Sequence, residues 1–290
     1  MASLKEIRAR ITSVASTEKI TSAMKMVAAA KLKKSEGTTL SFLPYRNKLS
    51  EALSNYLGSL EEAVSVPLME KREAKRVVLI GFSSSNGLCG VYNSSIFKLF
   101  KKTYDEYVQK VGEKNIVVLI FGKKLYEFIQ KCQIPVAEYH ASLAEELSYD
   151  MAAGLSDRMV EQFLKHEIDQ VVMVYNHYKN AGVQTPTCER VLPLKPAELE
   201  PGKTFDYIVE PSKEVFLNAL VPKVVRTRFY SIMLDTFTAE HGARMTAMHI
   251  ASDNANTLLQ DLKRQYNKAR QNVITNELID IVGGAEALSK

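Results

Sequence analysis

The sequence predicts an α/β fold in which two long terminal helices wind into an antiparallel coiled coil and the middle of the chain forms a doubly wound sheet. Three observations carry this. Residues 1–36 contain neither glycine nor proline, and from Lys223 to Val282 there is no proline and one glycine, Gly242. Apolar residues recur at helical spacing in both of those stretches. Three β-branched apolar runs alternate with helical patterns between them, and that alternation implies βαβ units.

Taken in order, residues 1–60 read as the first helix. Leu4, Ile7, Ile11 and Val14 recur at spacings of three, four and three, and after a phase shift Ile20, Met24 and Val27 continue the stripe. Residues 75–211 read as the central α/β domain. Its runs Arg76 to Phe82, Asn115 to Phe121 and Gln170 to Asn176 are of the kind that parallel strands buried on both faces show. Helical patterns lie at about 93–111, 123–132 and 143–166. Six of the nine prolines fall between Pro135 and Pro211, so Pro186, Pro193, Pro196 and Pro201 mark an exit region, with Asp206 to Glu210 an edge strand. Residues 212–290 read as the last helix, with the stripe Phe237, Met245, Met248, Ala255, Leu258, Leu262, Tyr266, Ala269 and Val273.

A helix of about 60 residues is ~90 Å long, several times the span of a small domain. A narrow stripe on such a helix needs a companion, and the other end of the chain supplies one, with Ala28, Ala29 and Ala30 allowing close approach. The competing reading breaks the ends into short helices at Pro44, Gly58 and Gly242.

Composition narrows the function classes. The 290 residues are 46% hydrophobic and 24% charged, which excludes disordered, collagenous and disulfide-rich chains. No apolar run approaches the ~20 residues of a membrane helix. Residues 1–30 mix acidic and basic residues in a helical pattern, which argues against a signal or transit peptide. Cys89, Cys132 and Cys188 are far apart and form no CxxC pair, in keeping with a reducing compartment. The net charge of +5 is uneven: residues 1–60 hold ten Lys and Arg against four Asp and Glu. A basic front fits nucleic acid, an anionic membrane surface or an acidic protein.

Motifs for chemistry fail one after another. Ser83 to Gly90 follows the first strand, where a phosphate loop belongs, but it offers only Gly87 and Gly90. Gly202-Lys203-Thr204 lacks the first glycine of a P-loop, having Ala197 there. Cys89 has no sequence-local base, and the five histidines do not cluster at metal spacing. No catalytic residue, cofactor site or metal site is assigned, and the sequence argues for a mechanical or scaffolding role.

At its two ends the chain resembles a known family. The segment from Ile20 to Lys31 is similar to the N-terminal signature of the gamma subunit of rotary F-type ATP synthases. Glu240 to Met248, Ser252 to Ala255, Gln265 to Gln271 and Ile274 to Ala285 are similar to that family's C-terminal signature, and Gly87-Leu88-Cys89-Gly90 is a further mark. The resemblance implies a coiled-coil shaft beside a Rossmann-like domain that binds no nucleotide. It implies a central-stalk rotor, driven by protons or sodium ions, that transmits torque from a membrane ring of c subunits to a catalytic alpha and beta hexamer, with an epsilon subunit as a further partner. Catalysis would belong to those partners.

By resemblance, Met24, Lys25, Arg270, Gln271, Thr275 and Glu277 meet beta, with Lys19 and Lys31 as basic neighbours of Met24. Ile281, Val282, Ala285, Ala287 and Leu288 turn in an apolar sleeve, and Tyr207 and Glu210 stand on the ring. Ser85 and Asn86 replace the family's usual Asp-Arg, and Val209 stands where an aromatic is common. The place implied is the cytoplasmic face of a bacterial inner membrane, peripherally bound, or an organellar inner membrane after import. Two other readings stay open: a nucleotide-dependent α/β enzyme with coiled-coil arms, and a nucleic-acid-binding coiled coil, whose basic segment has few aromatics for stacking.

Overall fold

A computed structural model describes residues 3–58, 66–141, 147–195, 209–210 and 212–288. Helix α1 spans Leu4–Gly58 and helix α5 spans Lys213–Leu288. Between them lie β1 (Val77–Phe82), α2 (Tyr92–Val111), β2 (Ile116–Phe121), α3 (Lys123–Lys131), β3 (Glu138–His140), α4 (Tyr149–Leu164), β4 (Gln170–Asn180) and β5 (Val183–Leu192). The chain divides into two units, residues 28–244 and residues 1–27 with 245–290.

In the larger unit the five strands lie in the order β3-β2-β1-β4-β5, the first four parallel and β5 antiparallel to β4. All six residues of β1 are buried, and their alternation decides which layer each joins. Val77 and Leu79 pack with Ile96, Phe100, Leu125 and Ile129 of α2 and α3. Val78, Ile80 and Phe82 pack on the other face with Leu155 and Phe163 of α4, Leu53 and Tyr56 of α1, and Val225 and Phe229 of α5. The last turns of α1 and the first half of α5 are thus a layer of the sandwich. Gly81 permits the α2 and α3 layer to close: a Cβ there would stand 2.6 Å from both Leu125 and Phe100.

Two strand expectations need correction. Pro186, read as the start of an exit region, lies inside β5, opposite Asn176; Pro193 follows the strand, and Pro196 and Pro201 lie outside the described residues. The strand's position explains the tolerance of Pro186, because β5 is an edge strand and only one side of it bonds to a neighbour. Its polar, half-exposed sequence gave no apolar run. The short edge strand β3 was likewise unsignalled. The edge strand placed at Asp206 to Glu210 lies mostly outside the described residues.

Neither proline breaks its helix. Pro44 leaves the carbonyl of Leu40 without a donor, and Leu40 is 69% exposed, so water can serve it. Pro222 removes the donor opposite exposed Asn218 in the same way. Gly242 stays helical too; its missing side chain leaves room for Tyr178, 3.0 Å from where a Cβ would stand.

The two long helices are antiparallel. In the larger unit, as the chain rises along α1 from Arg46 to Tyr56, its partner on α5 falls from Ser231, bonded to Arg46 at 2.9 Å, to Phe216, whose ring centroid is 4.8 Å from that of Tyr56. In the smaller unit the hydroxyls of Thr21 and Ser252 meet at 2.8 Å. There the buried and half-buried positions of α1 include the series Leu4, Ile7, Ile11, Val14, Glu18, Thr21 and Lys25, at spacings of three and four, with Ala15, Ser22 and Met24 half-buried beside it. On α5 they include Met248, Ser252, Ala255, Leu259, Leu262, Tyr266 and Ala269, with the same spacing, and Met245, Thr246, Ala247 and Ala251 flank that series. A 3.5-residue period is what keeps a seam facing its partner.

The period also corrects the expected stripes. It runs through without a phase shift, so Glu18, Thr21 and Lys25 turn inward while Ile20 and Val27 are 60% and 57% exposed. Leu258 is 48% exposed and Val273 40%; Leu259 takes the seam position.

Candidate functional site

An α/β sheet takes its ligand beyond the carboxyl ends of its strands, where the strand order reverses. Here that place lies past β1 and β4, and the chain fills it with its own residues. The buried Asn176 at the end of the sheet donates through Nδ2 to the carbonyl of Tyr92 at 3.0 Å. Tyr92, buried at the start of α2, donates its hydroxyl to the carbonyl of Thr236 on α5 at 3.2 Å. Cys89, Tyr92, Ala239 and Ala243 form a closed apolar cluster with Tyr178 packed against it. Helix α5 therefore plugs the crevice a nucleotide would need.

The turn after β1 is tied down just as fully. Ser83 Oγ accepts the N–H of Leu125 at 2.9 Å, and its carbonyl leaves only 2.1 Å for a Cβ at Gly122, where φ is +104°. Ser84 Oγ donates to the carbonyl of Asn86 at 2.6 Å. Asn93 Nδ2 donates to Ser84 Oγ at 2.7 Å and to Cys89 Sγ at 3.1 Å. Burial pushes the Cys89 thiol pKa up, which suppresses thiolate and nucleophilicity. Leu88 and Gly90 both have positive φ. At the Ser85-Asn86 departure the anchoring is through backbone: Ser85 Oγ donates to the carbonyl of Ala141 at 2.7 Å, and Arg244 donates to that of Asn86 at 3.1 Å.

Arg244 belongs to a buried polar group on α5. Its other nitrogen donates to Glu240 Oε1 at 2.8 Å, and both side chains are 10% exposed. His241, 4% exposed, has its pKa lowered to about 4, by burial first and then by Arg244 and Lys31. Burial raises the pKa of Glu240 against the pull of Arg244. Through Arg244 this group holds α5 to the turn. Among the described residues no three His, Cys, Asp or Glu converge as a metal site would require. Gly202-Lys203-Thr204 lies outside the described residues.

The residues singled out by resemblance lie on helix surfaces. Met24 and Lys25 are half-buried, Lys25 being a seam position, while Lys19 and Lys31 are exposed. Arg270, Gln271, Thr275 and Glu277 are all exposed on α5, and Thr275 Oγ1 donates to the carbonyl of Gln271 at 2.9 Å. Ile281 is 67% exposed, Val282 63%, and Ala285 is exposed. The backbone of Leu288 closes the helix, but its side chain and that of Ala287 lie outside the described residues, as does Tyr207. Glu210 is exposed.

One feature of α5 was not foreseen in full. Every residue from 271 to 285 is exposed, although Val273, Ile274, Leu278, Ile279, Ile281 and Val282 are large and apolar. Those residues cover most of the helix circumference, leaving one arc to Asn272, Asn276 and Asp280. An exposed apolar surface of that breadth marks a place where a partner packs. The signal was present in the loss of 3.5 periodicity after Ala269. Also unforeseen is the reach of the β4 end: Tyr178 donates its hydroxyl to Glu36 of α1 at 2.5 Å, and its N–H to Asp235 of α5 at 2.8 Å.

A coiled coil with an exposed apolar end, and an α/β unit whose crevice is filled by its own helix, define the fold class of the chain. The chain belongs to the ATP synthase gamma family: the profile of the family described as ATP synthase matches residues 3–288. It is 46% identical over 290 residues to the ATP synthase gamma chain of Flavobacterium johnsoniae, with the whole of both chains covered. It is 44% identical to that of Bacteroides fragilis, over 99% of this chain and all of the relative. Among solved structures, a chain of the Euglena gracilis mitochondrial ATP synthase matches with a TM-score of 0.65 at 18% identity, over 98% of this chain and 94% of that one. A chain of the Tetrahymena thermophila central stalk and c-ring matches with a TM-score of 0.57 at 23% identity, over 80% and 99%. At those identities the likeness is one of fold.

Proposed function

We propose that this chain is the central-stalk rotor subunit of an F-type ATP synthase driven by protons or sodium ions, carrying torque between a membrane ring of c subunits and a catalytic alpha and beta hexamer. The observation that carries the reading is the bare helix from 271 to 285, exposed at every residue although Val273, Ile274, Leu278, Ile279, Ile281 and Val282 are large and apolar. Left in water it would gain little as an isolated helix, so its stability and its use both call for a surrounding apolar sleeve. Ile281, Val282, Ala285 and Leu288 are its contacts there. Arg270 precedes it, Gln271, Thr275 and Glu277 lie in its first turns, and with Met24 and Lys25 they touch beta. Polar groups suit that task because hydrogen bonds can hold at one angle and release at the next.

In this reading residues 1–60 and 212–290 are the shaft and residues 75–211 the domain beside it. Tyr207 and Glu210 contact the ring, and epsilon is a further partner. A single asymmetric shaft gives three identical sites three different affinities at a given angle, and rotation permutes them. No helix among the described residues is long and apolar enough to cross a membrane, so attachment is through the complex. The bacterial relatives favour the cytoplasmic face of the inner membrane. Co-expression with alpha, beta and epsilon tests the proposal. A stable complex whose ATPase activity far exceeds that of alpha and beta alone is the expected result. A chain that purifies alone while alpha and beta assemble without it would overturn the reading.

A further inference from the structure

In the larger unit, a cavity of about 500 Å³ opens between the outer edge of β5 and the facing surfaces of α1 and α5. Its lining includes apolar Leu53, Val191, Leu194 and Val224, and it carries Arg46, Arg190, Arg228 and Lys195 against one carboxylate, Glu189. Arg228 is committed to Glu189, its Nε donating to Oε1 at 2.6 Å. Arg46 is not committed to any carboxylate. One terminal nitrogen donates to Ser231 Oγ at 2.9 Å, and the other and Nε donate to Asn47 Oδ1 at 3.1 Å and 3.3 Å. A guanidinium has five N–H donors, so two remain. Among the described residues neither Arg46 nor Lys195 has an ion-pair partner.

Half-burying two guanidiniums beside each other with one counter-charge is unfavourable. The pKa of Arg46 is lowered, by burial first and by Arg228 second, with Asp235, Tyr175 and Glu189 offsetting part of that. Asp235 itself is engaged by His177 at 2.6 Å and by the N–H of Tyr178. A cavity that keeps excess positive charge, spare planar donors and room for a small molecule has the chemistry of an oxyanion site, since guanidinium forks match tetrahedral phosphate oxygens.

From this geometry we propose that the cavity between β5, α1 and α5 binds a phosphate group, free or carried on a small soluble molecule, with Arg46 and Lys195 as its ligands and Arg228 supplying field. The site stands independently of the rotor reading.

The full chain, purified alone, is titrated with inorganic pyrophosphate and with glycerol 3-phosphate by calorimetry, against sodium chloride at matched ionic strength. Heat of saturable binding is expected for pyrophosphate, and a similar response to glycerol 3-phosphate would show that an ester-borne phosphate is also held. Lys195→Gln, at an exposed position, should weaken binding about tenfold, the worth of one charge-assisted hydrogen bond, and Arg46→Gln at least as much. Circular dichroism would establish that both variants fold. No saturable heat above chloride, or equal affinity in folded Lys195→Gln and Arg46→Gln, would overturn the proposal.

Discussion

The first and second halves of α5 are one helix in two environments. Between Leu217 and Arg244 it is buried on nearly every side, because it is a layer of the α/β sandwich and also the plug of its crevice. From Met245 to Ala269 it keeps only a seam, and from 271 to 285 it buries nothing. The same contrast divides α1, whose Leu53 and Tyr56 sit in the core while Ile20, Met26 and Val27 lie in the open. The lesson is that length of helix and stability of helix are separate. The larger unit holds the chain together, and the smaller one presents surface.

The sharpest way to break this contrast is to hollow out each half in turn. Phe229 is fully buried between α5 and the sheet, so Phe229→Ala should cost about 3 to 5 kcal/mol, read as a fall in the denaturation midpoint of the isolated chain. Leu262, 5% exposed in the seam, has neighbours that water already reaches. Leu262→Ala should therefore fall at the low end of such changes, about 2 kcal/mol, and appear as faster hydrogen exchange confined to residues 1–27 and 245–270. Equal losses in both places would mean that the seam is packed like a core.

The α/β middle was legible because buried parallel strands write themselves as unbroken apolar runs. β1, β2 and β4 begin at Val77, Ile116 and Gln170, within a residue of Arg76, Asn115 and Gln170, where those runs start. β5 was not, because an edge strand with one wet face and a proline looks like a loop. The long helices were legible from missing glycine and proline, yet their inward faces were misread where the seam turns polar. Thr21 and Ser252 pair across it through their hydroxyls, and no hydrophobicity count would select them over Ile20. The surface contacts came from resemblance alone, since nothing local distinguishes exposed Arg270 from any other solvated arginine.

A smaller effect separates the two regions by pH. His241 is buried uncharged in the larger unit, with its pKa lowered from 6.5 to about 4. The unfolded chain takes up its proton near pH 6.5 and the folded chain resists until about 4, so stability is intact above 6.5 and is lost as pH falls through that window. Glu240, whose pKa is raised by burial, acts in the opposite sense as pH falls, so the part due to His241 is read as the difference between the original chain and His241→Phe from pH 7 to 5. Over that range His241 should remove about 1 to 2 kcal/mol. His241→Phe should flatten that part of the profile in chemical denaturation, and a variant whose slope equals that of the original chain would show that the imidazole is not the group responsible.

The smallest effect on stability should accompany the largest on function. Arg270 and Gln271 are exposed, and among the described residues no side-chain hydrogen bond or ion pair holds either one. Removing both side chains with Arg270→Ala and Gln271→Ala takes nothing from the seam, whose last members are Tyr266 and Ala269. Alanine is also a strong helix former, so the isolated chain should unfold within about 0.5 kcal/mol of the original. In the assembled complex the same side chains meet beta in the rotor reading, and there each charge-assisted hydrogen bond contributes about 1.5 to 3 kcal/mol at the angle where it forms. Losing that from one step of a cycle slows turnover roughly tenfold or more. Leu262→Ala should do the reverse, loosening the seam while leaving the contact surface chemically intact. Thermal unfolding and ATP hydrolysis measured side by side on both complexes decide it. If the double variant hydrolyses ATP at the original rate, then the exposed polar face of α5 before residue 271 is solvated surface, and the transmission must lie in the apolar helix beyond it.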